Sequence, residues 1–112
     1  MSSTQAKPFY CAVDFAFQRI GGKYKGRILW ALRNESLRFG ELSRHIEGVT
    51  TKMLAQALKE LEADRLITRQ VVTKKPLHVA YSLTTPAQEL IPFIDQMRVW
   101  GEHQIENLPV TH

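Results

Sequence analysis

The sequence predicts a mainly helical α+β domain, and three observations carry that class. Apolar residues recur at helical spacing through most of the 112 residues. Two short β-branched runs interrupt them at about 66–72 and 77–83 with strand-like alternation. One long helical stretch follows the second run. The length suits a single core. An apolar fraction of 44% with 23% charged residues excludes a disordered polyelectrolyte.

The first element runs from Ala12 to Ile20, where Val13, Phe15, Ala16, Phe17 and Ile20 cover much of a helix that Gly21 and Gly22 end. KYKGRILWALRN predicts a second helix, with Ile28, Leu29 and Leu32 inward and Lys25, Arg27 and Arg33 outward. A short third helix, FGELSRHI, spaces Phe39, Leu42 and Ile46 along one face before Gly48 breaks it. The fourth spans about 51–63, with an inward stripe of Leu54, Ala57, Leu58 and Leu61 and a cap from Thr50 or Thr51. LITRQVV and LHVAYSL, joined by TKKP, predict a β-hairpin over about 66–84 with Lys74, Lys75 and Pro76 near its tip. A last helix over about 86–107 carries Leu90, Ile94, Met97, Trp100 and Ile105 on its apolar side, and Pro92 is expected to kink it or limit its first turn.

Helices three and four, joined by EGVT, have the dimensions of a helix-turn-helix, and the hairpin that follows makes it a winged one. In that geometry helix four enters the DNA major groove, its N-terminal end offering free N–H groups and positive dipole to phosphate. Lys52, Gln56 and Lys59 project opposite Leu54, Leu58 and Leu61. Lysine reaches guanine acceptors or phosphate, and glutamine pairs with adenine. Ala55 is small enough to approach a thymine methyl. The alternative for this face is ordinary solvation. Thr50 and Thr51 open the same helix, Lys74, Lys75 and His78 of the hairpin are placed to meet phosphates, and Arg38 stands just before helix three. The plainer alternative for Arg38 is a surface salt bridge.

Charge is distributed unevenly. Residues 1–37 carry +4, residues 38–75 carry +3 and residues 76–112 carry −3, for a net +4. A basic front with an acidic tail suits a polyanion-binding surface beside an element that faces elsewhere. The single cysteine, Cys11, excludes an internal disulfide framework and a cysteine-rich zinc site. His45, His78, His103 and His112 stand in no metal-ligand spacing, and no phosphate loop or nucleophile elbow is present. No enzyme activity, metal or cofactor is therefore expected. No apolar run approaches the roughly 20 residues of a membrane helix. The opening MSSTQAKPFY has no apolar core before its first charge, so a cytoplasmic location without membrane association is expected.

GGKYKGRILWAL, LRFGELSRHIEGVTTKMLAQALKELEADRLITRQV and P-x-x-V-x-YSLT together resemble the HxlR-type transcriptional regulators, small bacterial and archaeal winged-helix proteins related in architecture to the MarR group. The likeness extends from Cys11 to about residue 101 in unbroken order. It implies a homodimeric transcription factor bound to double-stranded DNA, with residues 51–63 as recognition helix and the hairpin as wing. Three positions depart from the family pattern. Tyr24 replaces a tryptophan, Arg65 a glycine before the first wing strand, and Ala87, after Pro86, the glycine that opens the last helix. If position 65 needs a left-handed backbone, arginine is costly there.

Phe9, Phe15, Phe17 and Ile20, with Ile94, Met97, Trp100 and Ile105, exceed what one small core buries. Segments 9–20 and 86–107 are thus expected to form a two-fold interface, as the resemblance also implies. Completion of the monomer's own core is the alternative. Two recognition helices about 34 Å apart would then read a pseudo-palindrome. Cys11 coincides with the family's near-N-terminal cysteine, which some members use to sense oxidants or electrophiles. A structural thiol at the interface is the alternative to such a redox sensor. Without a second cysteine, only an intersubunit bridge, a mixed disulfide or alkylation is open to it. A winged-helix protein-interaction module without specific DNA binding is the competing function. The operator, the direction of regulation and any small-molecule effector are not written in the sequence.

Overall fold

A computed structural model describes residues 11–109. In chain order the elements are α1 (Ala12–Ile20), α2 (Lys25–Ala31), β1 (Leu37–Arg38), α3 (Phe39–His45), α4 (Thr51–Ala63), β2 (Ile67–Lys74), β3 (Leu77–Leu83) and α5 (Thr85–Glu106). Helices α1 and α4 have the bounds that their apolar spacing predicts, and α2 is shorter at both ends.

The sheet has three strands, one more than the hairpin, in the order β1-β3-β2. Strand β1 pairs antiparallel with β3, Leu37 opposite Tyr81 and Arg38 opposite Ala80. At two residues β1 is too short to show an alternation of its own, which is why the sequence does not reveal it. Strands β2 and β3 pair from Ile67↔Leu83 to Lys74↔Leu77, with an irregularity between Val71 and Thr73.

The core gathers where α2, α3 and α4 meet the base of the sheet. Ile28, Leu29, Leu42, Leu54, Leu61 and Ile67 have their side chains fully enclosed, and Leu58 and Ala87 complete the cluster. These are the stripes that the helical spacing selects. Helix α4 buries Leu54, Ala57, Leu58 and Leu61, so its opposite face is left to solvent.

The first turn of α5 accommodates both departures at its start. The Thr84 hydroxyl accepts from the Ala87 N–H at 3.4 Å, and Pro86 sits where an intrahelical N–H partner is missing anyway. The helix runs on through Pro92, so that proline does not limit the first turn. Pro92 and Gln88 are both exposed, so water can serve the Gln88 carbonyl that lacks its usual N–H partner.

No residue of α1 is buried, and in the 22 residues of α5 only Ala87 is. The molecule is accordingly a thin plate of 52 × 51 × 24 Å. Its radius of gyration is 16.6 Å, where a compact chain of this size has about 13 Å. No described helix is long and apolar enough to cross a membrane.

Candidate nucleic-acid interface

The turn between α3 and α4 is held from α2. Gly48 takes φ +84°, a left-handed conformation that suits glycine. The buried Tyr24 donates its phenol proton to the Gly48 carbonyl at 3.1 Å, and Arg27 Nη2 donates to the Glu47 carbonyl at 3.1 Å. Tyr24, where the resemblance leads one to expect tryptophan, therefore anchors the turn by a polar tip as well as by burial. At the start of α4 the Thr50 hydroxyl accepts from the Met53 N–H at 3.1 Å, so Thr50 is the cap and Thr51 the first helical residue.

The far end of α4 closes in a Schellman turn. The Leu66 N–H donates to the Leu61 carbonyl and the Arg65 N–H to the Glu62 carbonyl, each at 3.0 Å. Arg65 is at φ 61°, the left-handed position where the resemblance leads one to expect glycine. Thr84 ties the turn to α5: its hydroxyl donates to the Arg65 carbonyl at 2.8 Å and its N–H to the Leu66 carbonyl at 3.1 Å. Helix α4 and the wing are thus joined rigidly over three residues.

Lys52, Ala55, Gln56 and Lys59 are exposed on the outer face of α4. Gln56 is not free there: its Nε2 donates to Glu60 Oε2 at 2.6 Å, while Lys25 Nζ from α2 meets Glu60 Oε1 at 2.7 Å. The Gln56 amide first, and then Lys25, hold the Glu60 carboxyl below the usual carboxylate range. The i, i+4 spacing of Gln56 and Glu60 is visible in the sequence, but the approach of Lys25 from another helix is not.

Lys74 and Lys75 are exposed at the wing tip, where the Thr73 hydroxyl donates to the Pro76 carbonyl at 2.7 Å. Pairing of β1 with β3 brings Arg38 Nη1 to 3.4 Å from His78 Nδ1. Both side chains line a cleft of about 540 Å³ with Arg44, Arg69 and Tyr81. Among the described residues none of Arg38, Arg44 and Arg69 forms an ion pair. The surface salt bridge considered for Arg38 is therefore not made. Arg44 and Arg69 are the residues that sequence reasoning missed, because their convergence depends on the short β1.

The terminal helices carry the remaining candidates. Phe15 and Phe17 on α1, and Met97, Trp100 and Ile105 on α5, are exposed, as are Val13 and Phe93 beside them. Ile20 and Ile94 are half-buried and pack against the chain's own core. Cys11 is exposed at the N-cap of α1. Phe9 lies outside the described residues.

An HxlR-like helix-turn-helix family model matches residues 19–109, which includes α2 through α5. The HTH-type transcriptional regulator YdzF of Bacillus subtilis is 46% identical over 92 residues, covering 81% of this chain and 84% of that protein. The solved structure of the redox regulator HypR in its reduced form superposes with a TM-score of 0.79 at 39% identity, over 83% of this chain and 92% of HypR. A MarR-family regulator of Porphyromonas gingivalis W83 reaches a TM-score of 0.80 at 33% identity, over 93% and 99% of the two chains. Helix-turn-helix, wing and matched span agree, and the chain belongs to the HxlR family of helix-turn-helix transcriptional regulators.

Proposed function

We propose that this regulator acts in the cytoplasm as a homodimer that reads a pseudo-palindromic site in double-stranded DNA, and that it catalyses no reaction. The observation that carries the DNA reading is the outer face of α4, where Lys52, Gln56 and Lys59 are exposed opposite a fully apolar inner stripe. In this reading α4 enters the major groove with Thr51, Lys52, Gln56 and Lys59 toward the bases and phosphates, and Thr50 holds the helix start. Lys74 and Lys75 meet phosphates at the wing. Arg38, Arg44, Arg69 and His78 supply a second basic patch for the backbone: Glu41 lines the same cleft but spends its Oε1 on the Arg38 backbone N–H at 2.8 Å and pairs with none of the three arginines.

The dimer is supported by the apolar side chains that α1 and α5 leave in solvent. Phe15, Phe17, Phe93, Met97, Trp100 and Ile105 are each more than a third exposed. Large exposed apolar surface of this kind marks association, and an isologous two-fold contact buries it on both copies at once. Phe9 is assigned to the same interface from the sequence.

Binding to the DNA upstream of the protein's own gene, measured across salt concentrations, tests this reading. Each neutralised phosphate contributes about −0.9 to the slope of log K against log salt. Lys74→Ala with Lys75→Ala should reduce the slope by about 1–2 without changing which sequence is preferred. Unchanged affinity and slope in that variant and in Lys52→Ala would instead favour a protein-interaction module.

A thiol switch is the second reading. Cys11 is exposed, and the similar HypR is a redox regulator. With one cysteine per chain, oxidation by a peroxide joins two Cys11 sulfurs across the dimer; the two thiols release two electrons and two protons, and the peroxide is reduced to water. A non-reducing gel of peroxide-treated protein should show a dimer that Cys11→Ser abolishes. Identical DNA binding by oxidised wild type and variant would remove the switch.

A further inference from the structure

The hydrogen bond of Gln56 constrains what its amide can offer to a base. A carboxylate only accepts, so the Gln56 amide must turn its NH2 group toward Glu60 and its Oε1 away. One N–H is taken by Glu60 at 2.6 Å, which leaves one donor and one acceptor of the amide uncommitted. That pair matches adenine, whose major-groove edge shows the N7 acceptor beside the N6 donor. Guanine shows two acceptors, N7 and O6, and a Gln56 with one N–H committed has a single donor left for them. The reversed amide would set oxygen against carboxylate oxygen.

Lys25 makes this arrangement compatible with DNA. An isolated carboxylate beside the groove would repel phosphate, but Glu60 Oε1 is paired at 2.7 Å with an ammonium whose side chain is only 17% exposed. The lysine is anchored on α2, so the carboxylate is held from outside the recognition helix. A carboxyl whose pKa is at or below the ordinary 4.5 is ionised at neutral pH, so Glu60 only accepts there.

We propose that Glu60, braced by Lys25, is a positioning residue that fixes the Gln56 amide and so sets a preference for adenine over guanine at the base pair that Gln56 meets. The assignment rests on the DNA reading proposed above. Selection of bound duplexes from a random pool by the full-length protein tests it, with folding followed by circular dichroism. Wild type should enrich sites with one adenine column that Gln56→Ala flattens. Glu60→Ala should lower the adenine-over-guanine ratio in that same column by roughly fivefold or more, within the discrimination a bidentate base contact supplies. Lys25→Met should act in the same direction, and Lys52→Ala should leave the column intact. The double variant Gln56→Ala/Glu60→Ala should lose nothing further there, because one contact is removed only once. A Glu60→Ala protein that keeps the column at wild-type strength overturns the proposal while the DNA reading stands, as does a Gln56→Ala protein with every column unchanged. Absence of any enriched site with wild type overturns both.

Discussion

The Tyr24 hydroxyl donates to the Gly48 carbonyl across 24 residues of chain, at 3.1 Å. This bond links the first turn of α2 to the left-handed corner of the helix-turn-helix, so the angle between α3 and α4 is fixed by a residue of neither helix. Tyr24→Phe keeps the buried ring and removes only the bond. It should lower stability by about 1 kcal/mol, as for a typical intramolecular hydrogen bond. Chemical denaturation measures the loss, and a change below about 0.3 kcal/mol would mean that ring burial alone does the anchoring.

Arg65 occupies a left-handed position at φ 61°. An L-residue with a Cβ is disfavoured there by roughly 1–2 kcal/mol, while glycine gives back about 0.5–1 kcal/mol through its freer unfolded chain. Arg65→Gly should therefore stabilise the fold by up to about 1.5 kcal/mol, and Arg65→Val, which is β-branched, should destabilise it. Thermal melting of both variants separates these signs.

Trp100 is 67% exposed and Phe17 58% exposed in the single chain. If the terminal helices pair two copies, Trp100→Glu should shift sedimentation from dimer to monomer at micromolar protein. DNA affinity should fall at least about tenfold, because two linked half-sites act at high effective concentration. A dimer of undiminished stability in Trp100→Glu would place the interface elsewhere.

Glu60 gives a pH dependence of known sign. Its folded pKa lies below the ordinary 4.5, by the Gln56 amide first and Lys25 second. A depressed carboxyl contributes stability above its unfolded pKa and loses it as pH falls through the folded value. The Gln56 side-chain amide signals in NMR should thus move on acidification with a midpoint below 4.5. Movement centred at or above 4.5 would show that Gln56 does not hold the carboxylate in solution.

What the sequence made legible follows the length of each pattern. Thirteen residues of α4 repeat their apolar spacing often enough to fix both ends and the inner face. The outer face, with Lys52, Gln56 and Lys59, follows by subtraction. Arg65 could be singled out because glycine's role at such a turn has one physical cause. Strand β1 could not, since two residues carry no period, and with it went the convergence of Arg38, Arg44, Arg69 and His78. The Lys25–Glu60 pair joins residues 35 positions apart, a separation that only the packing of α2 on α4 closes.

A plate 24 Å thick and about 52 Å across is a lever. Rotating it by about 5° about one edge sweeps the opposite edge of its 52 Å span through about 4–5 Å, more than the 3.4 Å step between stacked base pairs. With α4 and the β2–β3 hairpin tied together at the Arg65 turn, such a sweep carries both without deforming either. If two such plates pair through α1 and α5 as proposed, a shift of a few degrees at that contact moves each α4 by more than one base step.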